Sequence, residues 1–297
     1  MGEGSNAFAL FTMILHFLTG SFIGFSICFS QWAVGKAIAF AFGKTMDSAI
    51  LDEGKRGIPL LEFALFSISF GLLYMLSVRY DSNFITIILI CSFTSYKSIL
   101  KPFFCALQSR NRNALFEQYI LAKTNIQVAV VISPVKFINA YAFGALPFSR
   151  LIVMSEQLVE QLTETDIKAV LLHEMGHLKG KHLLQLYLYN LFTVFMYYTL
   201  VMYFFRSSMD FTIAEKFSCI IAGGAIFGLL AYFIPVPMMK KFEYAADYYA
   251  AKIIGVEHYS QMLQNLDQLT QGALTQSDFY HPNLQQRLSK LKDEDTL

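Results

Sequence analysis

The chain has 297 residues, room for one or two domains. Hydrophobic side chains make up 55% of it and charged ones only 15%, where a water-soluble domain carries roughly a quarter charged, so a second, apolar solvent is expected. A formal net charge of +1 gives no basis for a nucleic-acid partner.

The N-terminal third reads as membrane-embedded. Ala7 to Phe29 is an apolar run long enough to cross a bilayer, which takes about 20 helical residues. Its length and the lack of a preceding basic region distinguish it from a cleavable signal peptide. His16 within it reads as a histidine bonded to a neighbouring helix in preference to a ligand. Gln31 to Phe42, interrupted by Lys36, extends that helix or lies along the membrane surface. Lys44 to Gly57 is a polar, basic-leaning loop. Ile58 to Val78 is a second span. Phe84 to Leu100 is a third candidate, diluted by Ser92, Thr94, Ser95 and Lys97, with the lysine placed to snorkel to the interface. Cys28, Cys91, Cys105 and Cys219 contain no Cys-x-x-Cys pair and read as small buried hydrophobes.

Past the polar run Gln108 to Arg112 the pattern becomes that of an α+β unit. Asn113 to Ala122 suggests a helix. Strands are expected at Gln127 to Ile132, at Asn139 to Phe143 and at Leu151 to Met154. Ser155 should cap a short helix running to Leu162, and Thr163 with Asp166 should cap the helix that follows.

That helix carries Leu171-Leu172-His173-Glu174-Met175-Gly176-His177-Leu178. One helical turn separates His173 from His177, so both imidazoles leave one face and can meet a single zinc ion, with Glu174 beside them to take a proton from water. A surface helix with two ordinary histidines would show the same string. Leu183 to Phe205 is then an aromatic-rich span holding Gln185 and Asn190, and Phe217 to Met239 is another, with Gly224 and Gly228 offering close helix approach. Pro235 and Pro237 are expected to bend or end it. Lys240 to Leu269 reads as an amphipathic helix with a turn near Gly255, and a final helix is expected from about Pro282 to Leu291.

A hydrolytic zinc takes three protein ligands and keeps one position open. Glu243 is the strongest candidate for the third. Asp247, four residues on, shares its helix face and could accept a bond from the far nitrogen of a ligand histidine. The alternative is two carboxylates solvating an interfacial helix beside Lys240 and Lys241. A membrane hairpin from Leu183 to Met239 returns the chain to the side it left, which would bring Glu243 back to His177. Lys36, Lys44, Lys55, Arg56, Lys179, Lys181, Lys240 and Lys241 all flank one side of the expected spans. By the positive-inside rule that side is the cytoplasm, with the N-terminus outside if three spans precede the catalytic unit.

Four separated patterns occur in order: Asn139-Ala140-Tyr141-Ala142-Phe143-Gly144, His173-Glu174-Met175-Gly176-His177, Glu243-Tyr244-Ala245-Ala246-Asp247 and His281-Pro282-Asn283-Leu284-Gln285-Gln286-Arg287. In them, over about Asn113 to Leu291, the chain resembles the HtpX-type membrane zinc proteases, which share a gluzincin core with the CAAX prenyl proteases. The resemblance implies a membrane α-helical protein with an α+β zincin-type catalytic domain and about four to five transmembrane helices. Its parts would be an N-terminal membrane region (1–107, two or three spans), two catalytic segments (108–182 and 240–297) and the transmembrane hairpin between them (183–239). Carried over, it makes His173, His177 and Glu243 ligands of Zn2+, and Glu174 the general base and later proton donor. Asp247 would support the ligands from behind. His281 would steady an oxyanion, with Arg287 bracing its loop. Asn139, Ala140, Tyr141, Ala142 and Phe143 would form the edge strand that pairs with substrate backbone. On the residues alone, His281 also reads as a helix-start residue and Arg287 as a solvated cation.

The implied activity is a zinc-dependent endopeptidase of the bacterial inner (cell) membrane, cleaving membrane or misfolded proteins at the cytoplasmic face. Its partners would be protein or peptide substrates and the lipid bilayer. A CAAX-type prenyl protease needs a lipid-accommodating chamber that so few spans hardly enclose. A non-catalytic zinc scaffold or sensor calls for a site closed by four ligands, whereas three candidates and no nearby cysteine are present. A transporter would show inverted repeats or paired broken helices, and neither is seen.

Overall fold

A computed structural model of the protein describes residues 9–22, 24–25, 60–80, 95, 98–99, 102–103, 107, 111–134, 138–206, 211–276 and 280–295. The segment Gln31 to Phe42, the loop Lys44 to Gly57, most of Phe84 to Leu100, and Cys28, Cys91 and Cys105 lie outside the described residues. The described chain forms two compact units. One holds the residues up to 80 together with 189–234, and the other holds 95–188 and 235–295.

In the first unit, an apolar helical stretch, Ala9–Phe22, packs on α1 (Leu60–Arg79). The approach is close because glycines face it: a Cβ on Gly20 would lie 2.5 Å from the Cβ of Tyr74. His16 sits edge-on to the Tyr74 ring, 6.2 Å between centroids, in an aromatic contact between helices.

The second unit begins with α2 (Ala114–Thr124), capped by the Asn113 side chain and closed by Asn125 in the left-handed conformation (φ 53°). Strands β1 (Ala129–Ser133), β2 (Ala140–Phe143) and β3 (Leu151–Ser155) form a sheet in the order β1-β3-β2. β1 runs parallel to β3 and β2 antiparallel to it, with Ala140 opposite Met154. No further strand borders β2 among the described residues, so it is an edge. Ser155 caps α3 (Glu156–Gln161), and Thr163 caps α4 (Glu164–Lys179) through the Asp166 amide at 3.2 Å. Leu171, Leu172 and Met175 of α4 join Val130, Ile152 and Met154 of the sheet in one core. That burial fixes α4 against the strands and leaves the opposite stripe of the helix for the site.

α5 (His182–Arg206) starts in the second unit and passes into the first after Leu188. α6 (Ile213–Phe233) begins four residues before the expected Phe217, because Thr212 and Glu215 form a reciprocal capping box there. The span Phe217 to Met239 is broken at the prolines expected to bend or end it. α6 ends at Phe233, and α7 (Val236–Ile254) starts anew behind Pro235, which has no N–H to continue the ladder. By length and composition, His182–Tyr203 and the stretch Ala214–Ile254 are sufficient to cross a membrane, while Ala9–Phe22 and Ser67–Leu76 are shorter apolar helices. Cys219, expected to be buried, is an exposed free thiol. It lies on α6, whose outward face is itself apolar at Ile221, Ile226 and Leu229.

After α7, Gly255 (φ 94°) turns the chain into α8 (Val256–Leu269). The last helix, α9 (Leu284–Asp295), starts two residues later than expected, where Asn283 and Gln286 bond each other's backbone amides at 3.1 and 2.9 Å. α4 and α7 cross closely, and a Cβ on Gly176 would lie 2.7 Å from the Cα of Ala246. Gly176→Val therefore has to push two backbones apart, and overpacking of this kind costs about 1–3 kcal/mol. The expected outcome is a lower thermal midpoint for the purified protein in detergent, followed by circular dichroism. An unchanged midpoint would mean that the two helices are free to separate.

Candidate metal centre

His173 and His177 project from one face of α4, and Glu243 projects from the second turn of α7. The three meet in space. His173 Nε2 lies 3.2 Å from His177 Nε2 and 3.5 Å from Glu243 Oε2, and His177 Nε2 lies 3.3 Å from Glu243 Oε1. Ligand atoms about 2.1 Å from a tetrahedral zinc are about 3.4 Å from one another. The spacing therefore fits one ion, and two imidazole nitrogens with one carboxylate oxygen form a set suited to zinc. Glu174 follows His173 on α4 and is buried. His281 Nε2 stands 3.8 Å from Glu243 Oε1, in the chain leading to α9 and outside that helix, so it is not a helix-start residue.

A second layer of polar groups surrounds the first. Asp247, one turn beyond Glu243, brings Oδ1 to 3.0 Å from His173 Nδ1, on the ring edge away from the other ligand atoms. Arg287 on α9 is buried and forks onto Asp247, its Nε donating to Oδ2 at 2.7 Å and its Nη2 to Oδ1. The arginine is thus the buried partner of a carboxylate on α7, not a solvated cation. Burial alone would raise the Asp247 carboxyl, but Arg287 and His173 outweigh it and hold it down at about 2. Burial likewise opposes the charge on Glu243, yet the histidines around it, His281 first, hold its carboxyl well below the usual range. For His173, burial disfavours the imidazolium, while bonds to Asp247 and Glu243 outweigh that and raise it to about 10. The carboxylates therefore create a demand for positive charge at the position where the three ligand atoms converge.

Two residues that no sequence pattern singled out complete the cluster. Tyr259 of α8 is fully buried, with its hydroxyl 2.7 Å from Asp247 Oδ1 and 2.9 Å from His173 Nδ1. His182, the first residue of α5, places Nδ1 3.1 Å from His177 Nδ1 and stacks on Phe242 at 4.2 Å. His182 has a sequence signal, a third histidine five residues past His177 beside Lys181. Tyr259 has none, since its role depends on how α8 folds back.

Asn139 to Phe143 falls on the edge strand β2 and the residue before it, and β2 packs beside α4. The Asn139 amide donates to the Tyr141 hydroxyl at 2.7 Å, and the Asn139 carbonyl accepts from the Ser155 N–H at 2.9 Å. Ala140, Tyr141 and Ala142 pair with β3 on one side, and Phe143 is exposed.

The sequence pattern of Peptidase family M48 matches residues 107–295, and the chain belongs to that family. Within the family it is of the HtpX type. A Protease HtpX homolog of Neisseria meningitidis is 31% identical over 151 residues, covering 47% of this chain and 51% of that protein. A Protease HtpX homolog of Bordetella petrii is 33% identical over 149 residues, covering 47% and 50%. Protease HtpX of Haemophilus influenzae is 27% identical over 189 residues, covering 56% and 66%. The chain thus spans about half the length of the first two relatives. The crystal structure of Ste24p from S. mikatae superposes with a TM-score of 0.58 at 21% identity, over 83% of this chain and 66% of that one, a likeness of fold.

Asp247→Asn keeps the size of the side chain and removes the charge that Arg287 faces. Leaving a buried guanidinium uncompensated costs about 3–5 kcal/mol. A marked fall in thermal midpoint is expected, with part of it recovered in the double variant Asp247→Asn/Arg287→Met. A double variant no more stable than the single one would show that the pair is not what the charge change disturbs.

Proposed function

We propose that the protein is a membrane-embedded zinc endopeptidase that hydrolyses unfolded or membrane-derived polypeptide. The observation that carries this reading is the convergence of His173 Nε2, His177 Nε2 and the Glu243 carboxylate, one oxygen of which lies 3.5 Å from His173 and the other 3.3 Å from His177, a spacing suited to one zinc ion. Three protein donors, not four, form that cluster among the described residues, which suits catalysis better than a closed structural site. Family membership and the names of the relatives support the same class of activity.

Zinc held by these three side chains supplies a Lewis acid that makes water acidic near neutral pH and polarises the scissile carbonyl. Glu174 takes a proton from the attacking water and gives it to the amide nitrogen as the C–N bond breaks. Its burial on a rigid helix keeps the carboxylate in place through both transfers. Negative charge develops on the carbonyl oxygen during attack, and His281, partly exposed beside Glu243, is the side chain placed to donate to it. Asp247, clamped by Arg287, fixes the orientation of His173. An extended substrate adds to the edge strand β2 through main-chain hydrogen bonds, which select for extended chain more than for sequence.

The membrane arrangement follows the same reading. α5 and α6 form the hairpin of residues 183–239 that interrupts the catalytic segments 108–182 and 240–297, and the N-terminal region 1–107 adds two or three spans for a total of four to five. Lys179, Lys181, Lys240 and Lys241 lie next to the ends of the hairpin and orient the site to the cytoplasm. At that face, in a bacterial inner membrane, such an enzyme serves protein quality control.

Glu174→Gln is expected to bind zinc as the parent does and to lose cleavage of unfolded casein by about 10²–10⁴-fold, the range for a positioned acid–base group. Retained cleavage would refute the assigned base, and loss of zinc would make the result uninformative about proton transfer, so metal content is measured on the same sample. His281→Ala is expected to lower kcat by about 10²–10³-fold, as removal of one oxyanion donor does, with KM little changed. A rise in KM at constant kcat would make His281 a substrate-binding group instead.

A further inference from the structure

The hydroxyl of Tyr259 touches both His173 and Asp247, and donor–acceptor accounting fixes what it does there. Both oxygens of Asp247 accept from the Arg287 guanidinium, and as the carboxylate of that pair Asp247 has no proton to donate to its other neighbours. A phenol has one proton, and Tyr259 donates it to Asp247 Oδ1 at 2.7 Å. Toward His173 Nδ1, 2.9 Å away, the same oxygen can therefore only accept, and its partner has to be an Nδ1–H. With the proton on Nδ1, the lone pair of His173 sits on Nε2, the atom that faces His177 and Glu243. The Tyr259 ring also lies nearly parallel to the His173 ring, at 15° and 6.5 Å between centroids. Tyr259 is fully buried, so no water competes for either bond.

We infer that Tyr259 is a positioning residue of the metal centre, its hydroxyl, aimed by Asp247, holding His173 in the Nδ1–H tautomer that offers Nε2 to a cation. The inference rests on the zinc reading above and adds a third helix, α8, to the elements that set the ligand geometry. Asp247 Oδ1 also lies within reach of Nδ1, at 3.0 Å, so losing the hydroxyl weakens the arrangement without abolishing it.

The test is Tyr259→Phe in the full-length protein, with zinc affinity measured by competition against a chelator and the thermal midpoint of the metal-free form measured alongside. Zinc binding about tenfold weaker at an unchanged metal-free midpoint is expected, the lower end of what loss of such a supporting partner costs. A purely structural tyrosine would move the midpoint and leave the affinity alone. Affinity within twofold of the parent overturns the inference. Nitrogen NMR of histidine-labelled parent protein in lipid bilayers reads the tautomer directly and decides the matter should the variant fail to fold. In the zinc-loaded protein a protonated Nδ1 on His173 is expected, and a His173 that binds zinc through Nδ1 with its proton on Nε2 overturns the inference. If the parent binds no zinc that His177→Ala abolishes, the metal reading and this inference fall together. If the parent binds zinc and Glu174→Gln is inactive while Tyr259→Phe binds as tightly as the parent, only the role of Tyr259 falls.

Discussion

The near-contact of the α4 and α7 backbones at Gly176 and Ala246 governs the geometry of everything around it. Both small residues are interleaved with the functional ones. Gly176 lies three residues after His173, and Ala246 lies three after Glu243, so on each helix the small residue and the ligand share a face. Only because no side chain separates the backbones there can two imidazoles from one helix and a carboxylate from the other close to 3.2–3.5 Å. Metal–ligand distances tolerate shifts of only about 0.2 Å, so a methyl group at this crossing would matter more than its hydrophobic gain suggests.

Charge balance is the second constraint. Glu243 and Asp247 are buried carboxylates of the cluster, against one buried guanidinium from Arg287. Burying each ion carries a penalty of several kcal/mol unless an opposite charge meets it. Arg287 neutralises Asp247 in bidentate fashion, which leaves the charge of Glu243 for a cation held by the converging ligand atoms to meet. Without such a cation, the same imbalance explains why the carboxylates beside His173 raise it to about 10. The site is thus built for metal by its electrostatics as well as by its distances.

Much of this was legible in the sequence where a local rule carries the signal. Ser155 and Thr163 cap the helices expected of them, and the alternation at Leu151 and the run at Ala129 give strands within a residue or two. The spacing of His173 with His177, and of Glu243 with Asp247, placed each pair on one helix face, and the fold brings the two faces together. Features set by tertiary packing were not legible. Nothing local to Tyr259 marks it as a partner of His173, because the contact spans 86 residues and depends on the turn at Gly255. Arg287 looked equally like a solvated cation until α9 was seen to deliver it to a buried carboxylate. The break at Pro235 was legible within the apolar stretch through Phe217 and Met239, because a missing backbone donor is a local signal that hydropathy does not erase.

The join between α4 and α5 links the metal centre to the long apolar helix more directly than sequence distance implies. α4 ends at Lys179, Lys181 adopts the left-handed conformation (φ 56°), and α5 begins at His182. A Cβ at Gly180 would strike the His182 ring, so the turn leaves room for that imidazole and for little else. The ring is then fixed between Phe242, stacked on it at 4.2 Å, and His177 Nδ1 at 3.1 Å. His177 Nε2 faces His173, and its other nitrogen, Nδ1, meets His182 Nδ1, so a His177 that ligated through Nε2 would have His182 as the acceptor for its Nδ1 proton. The direction in which α5 leaves the turn thereby sets the acceptor for one ligand, just as α8 and α9 set the partners of the other. His173 is held from behind by elements remote in sequence and His177 by the turn that follows its own helix, and such backing is what a short local motif needs before it can act as a rigid set.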